Sequence, residues 1–426
     1  MKYCLIFVFL WAALSWAAWG DDLHGNVWTV RRHNSEHEYA KAEKLALMLL
    51  ESKDPRIPYF EKQLLLHLYF AQQRLGKFVD AERSYKSFLV SSGSEQDMNL
   101  TLQMFELRRQ LGSPIADLQK ILPESRESLE VGRVNPDSLE RCLTYLRNSG
   151  TDSLIVLRDG KPVFLWKSRF YRGSMATMSS VKSVAALLVG IAVEKGLLTT
   201  KTRVGDVLPC WNEGFRAEVD VESLLTMSSG LLRMEKGLGL VDRGSSLNSW
   251  VQSLTPQIRA GTQWAYSNEG AQLLAPVLEA STGQPVEKFA EKYLFAPLGL
   301  RKTKLLMMDQ DASLYADAET TIEEFAKIGQ LVLDRGKGPD GLEIVSERWI
   351  EEMLMPCQLN KGYGYLWWLF PDLGMVAMQG YLGTSCWIQA DQKLVIARSQ
   401  QVVYLHASQT FDIRDWMDLY RGLEPP

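Results

Sequence analysis

A serine three residues ahead of a lysine, at the head of an apolar segment, offers the most direct chemistry in this sequence. Ser179-Ser180-Val181-Lys182 runs into Ser183-Val184-Ala185-Ala186-Leu187-Leu188-Val189-Gly190-Ile191-Ala192-Val193. The run is apolar on nearly every face, which predicts a buried helix with Ser179 and Lys182 at its N-terminus. Spacing i, i+3 puts both side chains on one face of that first turn. A serine hydroxyl needs a base to become a nucleophile, and a lysine desolvated near a helix N-terminus has its neutral form favoured. The same helix end has free backbone N–H groups, so the N–H of Ser179 is a candidate donor to a tetrahedral oxyanion. Alone, Ser-x-x-Lys is a poor signal: about one or two arise by chance in a chain of this composition, and the plain reading is a surface lysine at a helix start. Here the pattern occurs once, at the start of the most apolar helix.

The second element is Tyr266-Ser267-Asn268, the only Tyr-x-Asn in the chain, in the loop after Ala260-Gly261-Thr262-Gln263-Trp264-Ala265. A phenol near an ammonium ionises more easily and can relay a proton to a leaving group. An asparagine amide two residues on can hold a substrate carbonyl and contact the lysine. Spacing alone fits a turn with a satisfied aromatic equally well.

Other chemistries are disfavoured. There is no Gly-x-Ser-x-Gly, and the catalytic region has a single histidine, His406. No histidine cluster suggests a metal, and no cofactor is expected. A formal charge of −4 against 47 basic and 51 acidic residues removes the electrostatic case for a nucleic-acid partner. Cys142, Cys210, Cys357 and Cys386 are spread singly, which also argues against zinc. Two readings of them stay open: up to two disulfides, in three connectivities, or four buried free thiols.

The elements that must position these residues follow from pattern. Asn135-Pro136-Asp137 opens a helix through Leu146. Ser153 to Arg158 and Pro162 to Lys167 form a hairpin around Asp159-Gly160. Val376 to Met378, Ser385 to Gln389 and Leu394 to Ser399 read as strands, and Asp412 to Leu423 as an amphipathic final helix. Strands at both ends and helices between predict an α+β domain over 126–426, an antiparallel sheet with covering helices and a helical lobe.

Residues 21–125 read as all helix. Leu65, Leu68, Tyr69, Gly76, Phe78, Ala81, Tyr85, Phe88 and Leu89 are spaced as in a tetratricopeptide repeat, with fragments of neighbouring units at Tyr39, Ala42, Ala46 and Leu111-Gly112. Bulky Tyr69 replaces the expected small residue, so a helical hairpin packed on the main domain competes with an arm, over 33–122, that docks a protein partner. Residues 1–20 have the layout of a secretory signal peptide, an apolar run from Tyr3 to Trp19 with Ser15 and Ala17, or Ala18 and Gly20, as the cleavage pair. The protein is then exported, periplasmic or extracellular, and touches a membrane only if the signal is uncleaved.

With these motifs in hand, the chain resembles the serine beta-lactamase and penicillin-binding-protein family in its broad sense, over about Ser153 to Gln400. The resemblance rests on Leu154-Ile155-Val156-Leu157-Arg158-Asp159-Gly160, the Ser179 motif, Val221-Glu222-Ser223-Leu224-Leu225-Thr226-Met227-Ser228-Ser229-Gly230-Leu231, Tyr266-Ser267-Asn268, Pro297-Leu298-Gly299-Leu300 and Gly362-Tyr363-Gly364-Tyr365-Leu366-Trp367-Trp368, in family order. It implies an active site between sheet and helical lobe, with Ser179 as nucleophile, Lys182 as general base and Tyr266 as proton donor to the leaving group and activator of the deacylating water. Asn268 would line the substrate site. The family's third motif, Lys-Thr-Gly or His-Thr-Gly, is absent. Its best counterpart is Met378-Gln379-Gly380 followed by Tyr381, whose backbone N–H becomes the second oxyanion donor. The implied activity is hydrolysis of a small-molecule or peptide ester or amide through an acyl-enzyme, with weak or no action on beta-lactams. The rival is a degenerate module that binds a cell-wall peptide or a protein without turnover.

Overall fold

The computed structural model describes Val30, residues 38–52, scattered positions between 64 and 87, and residues 127–132, 134–168, 171, 173–232, 246–308, 310–400 and 411–423. The leader, the repeat positions Gly76, Phe78, Ala81, Tyr85, Phe88, Leu89, Leu111 and Gly112, and His406 lie outside the described residues. The chain divides into two compact units, Met1–Glu124 and Ser125–Pro426.

In the first unit, helix α1 (Tyr39–Leu50) buries Ala42, Glu43, Ala46 and Leu49. Leu65, Leu68 and Tyr69 are buried too, and Ser84 donates a hydrogen bond to Gln72 at 2.7 Å. Among the described residues no helix is long and apolar enough to cross a membrane.

The second unit is built on a seven-stranded antiparallel sheet. Its strands are β1 (Ser128–Val131), β2 (Ser153–Arg158), β3 (Lys161–Lys167), β7 (Trp368–Phe370), β8 (Met375–Gln379), β9 (Ser385–Gln389) and β10 (Leu394–Ser399), in the order β1-β3-β2-β10-β9-β8-β7. The hairpin turn is formed by Asp159 (φ 50°) and Gly160 (φ 73°), the left-handed pair that a two-residue connection demands. Strand β1 was not among the expected strands: Leu129 and Val131 alternate with exposed Ser128 and Glu130, and Leu129 pairs with Trp166 to extend the sheet edge.

Both faces of the sheet are covered, which is why β2 is buried along most of its length. One face packs Leu154, Val156, Phe164, Trp166, Trp387 and Ile396 against helices α2 (Pro136–Asn148) and α6 (Ile413–Arg421). Helix α2 starts as the sequence predicts, with the Asn135 side chain accepting the N–H groups of Asp137 and Ser138. The other face packs Ile155, Leu157, Cys386, Ile388, Val395 and Ala397 against helix α5 (Ile322–Leu333) and the helical lobe. Helix and sheet approach closely there: a Cβ at Gly329 would lie 2.5 Å from Cys386 Sγ and 2.8 Å from Val395 Cγ1.

The apolar run forms helix α3 (Val181–Glu194), buried from Val181 to Ala192. Helix α4 (Asn268–Thr282) packs with it in the same core. Two short strands, β4 (Met175–Ala176) and β6 (Ala318–Thr320), pair antiparallel just ahead of Ser179, and β5 (Lys304–Leu305) completes that small sheet. Among the described residues Cys142, Cys210, Cys357 and Cys386 are free thiols; Cys142 and Cys386 are buried, Cys357 is half-buried and Cys210 exposed, so the reading of four buried thiols fails at two positions.

Candidate active site

Ser179 lies in a 3-10 turn, Met178–Ser180, that leads directly into α3. One turn on, Lys182 is 1% exposed, and its Nζ lies 3.0 Å from Ser179 Oγ. Nζ also donates to the backbone carbonyl of Tyr315. The spacing therefore does what the helix period requires, and the burial supplies the desolvation expected for a lysine base.

The Tyr266 ring comes to the same nitrogen, with its centroid 5.0 Å from Lys182 Nζ. The loop bearing it is tied down by Met227, which accepts the Ala265 N–H at 2.8 Å through its carbonyl and the Ser267 N–H at 3.3 Å through its sulfur. Ser267 caps α4 by accepting the Gly270 N–H at 2.9 Å. Asn268 is thus the first residue of a helix and not part of the expected loop. Its Oδ1 is buried without a hydrogen-bond partner.

An aromatic wall that sequence reasoning did not assign to the site stands behind Tyr266. Trp368 stacks on it at 6.1 Å, and Trp368, Tyr363 and Trp264 meet edge to face at 5.0–6.4 Å. Burial pushes the Tyr363 phenol well above its ordinary range, with Tyr266 and Cys357 adding to the rise, so Tyr363 stays neutral. The sequence reading used Tyr363 and Trp368 only as part of the stretch Gly362 to Trp368 that carries the family resemblance.

The end of β8 packs against the turn that bears Ser179. A Cβ at Gly380 would lie 2.6 Å from the Thr177 carbonyl and 2.8 Å from Met178 Cβ, so only glycine lets the two backbones approach. Ser180 Oγ donates to the Thr384 carbonyl at 3.3 Å, a second tie between the segments. Gln379 ends the strand half-buried, while the Tyr381 side chain is 67% exposed at the head of the Tyr381–Gly383 turn. Met378 is wholly buried in the core that includes α3.

Two further residues came without any sequence signal. Asp317 accepts the Met178 N–H at 2.8 Å, and its own N–H donates to the Met178 carbonyl at 3.0 Å. Burial raises its carboxyl, opposed by the Met178 N–H and the Lys182 charge. Arg398, fully buried on β10, donates to the Gly383 carbonyl at 2.8 Å and so braces the Tyr381–Gly383 turn from behind. Ser179, Lys182 and Tyr266 converge, with Asn268 two residues beyond Tyr266 and Gly380 packed on the Ser179 turn. Among the described residues no group of His, Cys, Asp and Glu could hold a metal ion.

Comparison with known proteins bears on the family likeness and the fold of this unit. The family model described as Beta-lactamase matches residues 139–341. A beta-lactamase of Pseudomonas fluorescens is 28% identical over 37% of this chain and 43% of its own length. Penicillin-binding protein 4 of Amycolatopsis lactamdurans is 26% identical over 51% of this chain and 66% of its own length. The matches thus span less than two thirds of either relative. Among solved structures, a family VIII carboxylesterase superposes with a TM-score of 0.56 at 17% identity, covering 70% of this chain and 100% of the other, which establishes a shared fold. The α+β unit that gathers Ser179, Lys182 and Tyr266 thus carries a match to the Beta-lactamase family model over residues 139–341 and shares its fold with the carboxylesterase.

Proposed function

We propose that this protein is an exported serine hydrolase that turns over an ester or amide through an acyl-enzyme. The observation that carries the proposal is the 3.0 Å contact between a buried lysine nitrogen and the Ser179 hydroxyl. In its neutral form Nζ can keep one hydrogen on the Tyr315 carbonyl and turn its lone pair to the Ser179 hydroxyl 3.0 Å away. As Ser179 Oγ bonds to the substrate carbonyl carbon, its proton moves to Lys182 and the carbonyl electron pair moves onto oxygen. The backbone N–H groups of Ser179 and Tyr381 are the assigned donors to that oxyanion. Collapse breaks the bond to the leaving group, which takes the Tyr266 proton, and Lys182 returns its proton to Tyr266. In deacylation the Tyr266 proton passes to Lys182, Tyr266 takes a proton from the water whose oxygen bonds to the acyl carbon, and collapse breaks the bond to Ser179 Oγ, which takes the proton held on Lys182.

Asn268, with an unused acceptor, and the half-buried Gln379 are assigned to substrate binding. The apolar leader before Gly20 supports export. The retained serine, lysine and tyrosine favour turnover over a binding-only module. Labelling with a fluorophosphonate, followed by mass mapping, tests the assignment: covalent mass on Ser179 is expected, and none in Ser179→Ala. Full esterase activity in Ser179→Ala would end it.

A further inference from the structure

Met178, immediately before the proposed nucleophile, and Asp317 both lie in the left-handed region, at φ 52° and 62°. Such a backbone is uncommon for a residue with a Cβ and persists only where its surroundings hold it. The two residues hold each other. Antiparallel pairing of β4 with β6 aligns Met175 with Thr320 and Ala176 with Glu319. The pairing continues beyond the strands, with the Thr177 N–H on the Ala318 carbonyl at 3.0 Å and the Ala318 N–H on Thr177 Oγ1 at 2.8 Å. At Met178 the backbone turns, and its N–H is taken by the side-chain carboxylate of Asp317. The same stretch presents the Tyr315 carbonyl to Lys182 Nζ. Six residues, 315–320, therefore register both members of the Ser179–Lys182 pair.

We infer that Asp317 is a positioning residue, whose carboxylate fixes the strained Met178 backbone and thereby keeps Ser179 Oγ in line with Lys182 Nζ. The inference rests on the reading of Ser179 as nucleophile and deepens it. A hydrogen bond from an N–H to a carboxylate is stronger than one to a neutral acceptor, and aspartate is short enough to adopt φ > 0 itself. A glycine here would suit the backbone and lose the acceptor. An asparagine would keep both.

The experiment compares full-length wild type, Asp317→Gly and Asp317→Asn for acylation by a fluorophosphonate, with rates resolved into the saturating rate and the half-saturating concentration. Thermal midpoints and hydrogen exchange at the Met178 amide are measured on the same samples. Asp317→Gly is expected to lower the saturating rate about ten- to a hundredfold with little change in half-saturation, and to speed Met178 exchange. Asp317→Asn is expected to restore the rate to within about threefold of wild type. A glycine variant as fast as wild type overturns the inference. An asparagine variant as slow as the glycine variant also overturns it, because charge and not the hydrogen bond would then be at work. If wild type itself takes no label on Ser179, the reading of the site fails separately. Met178 exchange then still decides whether the carboxylate holds the turn: unchanged exchange in Asp317→Gly counts against it.

Discussion

Lys182 Nζ stands 3.0 Å from Ser179 Oγ in a pocket that leaves the lysine 1% exposed. Burying a lysine is costly, and one turn of helix brings this one to a hydroxyl. Lys182→Met conserves volume and removes the base; Tyr266→Phe conserves the ring on Trp368 and removes the phenol. Each is expected to lower turnover of an activated ester by about 10²–10⁴-fold, with circular dichroism and thermal midpoint near wild type. A variant that keeps its activity would remove that residue from the proton path.

Arg398 predicts a stability effect. Its guanidinium donates to Thr151 Oγ1, the Ser149 and Gly383 carbonyls and Gln400 Oε1, each at 2.8 Å. Burial lowers its pKa to about 10, against the raising influence of Asp152 and Tyr145, so it remains a cation at neutral pH. Arg398→Met leaves those buried acceptors without their donor and is expected to cost about 3 kcal/mol in urea unfolding. Arg398→Lys recovers little, because an ammonium cannot reach four acceptors spread around a planar fork. A methionine variant within 0.5 kcal/mol of wild type, about the size of an ordinary surface change, would contradict this.

The cysteines predict a reactivity order. Burial pushes the Cys142 thiol up to about 11, only partly offset by Arg141, and raises Cys386 further. The thiolate is the reactive form, so both are silent at pH 8. Cys210 is exposed and Cys357 half-buried. Titration of the native protein with a chromogenic disulfide should modify Cys210 fastest and Cys357 more slowly, with Cys142 and Cys386 reacting only in denaturant. Rapid native labelling of Cys386 would mean that the α5–sheet packing opens.

What could be read from sequence was local. The Asn135 cap, the Asp159-Gly160 turn and the length of α3 depend on neighbours in the chain, and so does the Ser179–Lys182 register. The Tyr266 approach needed a loop anchored on Met227, 39 residues earlier in the sequence. The Asp317–Met178 pair joins segments 139 residues apart, and no periodicity in either segment encodes it. Strand β1 was missed for a related reason: four residues of alternation become a strand only when the β3 edge is present to accept them.

Met378 bears on which substrates are preferred. The resemblance places it where relatives carry a lysine or histidine that meets the carboxylate of a beta-lactam or D-alanyl peptide. Here the side chain is apolar and fully buried beside the nucleophile helix. Arg398 donates to the Gly383 carbonyl of the Tyr381–Gly383 turn, and its guanidinium is committed to four acceptors. A charge-assisted hydrogen bond contributes about 1.5–3 kcal/mol, so its loss weakens transition-state binding of an anionic substrate by about ten- to a hundredfold or more. Neutral short-chain esters and amides make no such demand. The specificity constant, kcat/KM, for a neutral short-chain ester should therefore exceed that for a cephalosporin measured on the same preparation. A clear preference for the cephalosporin would show that another group meets the carboxylate and that the loss at Met378 is compensated.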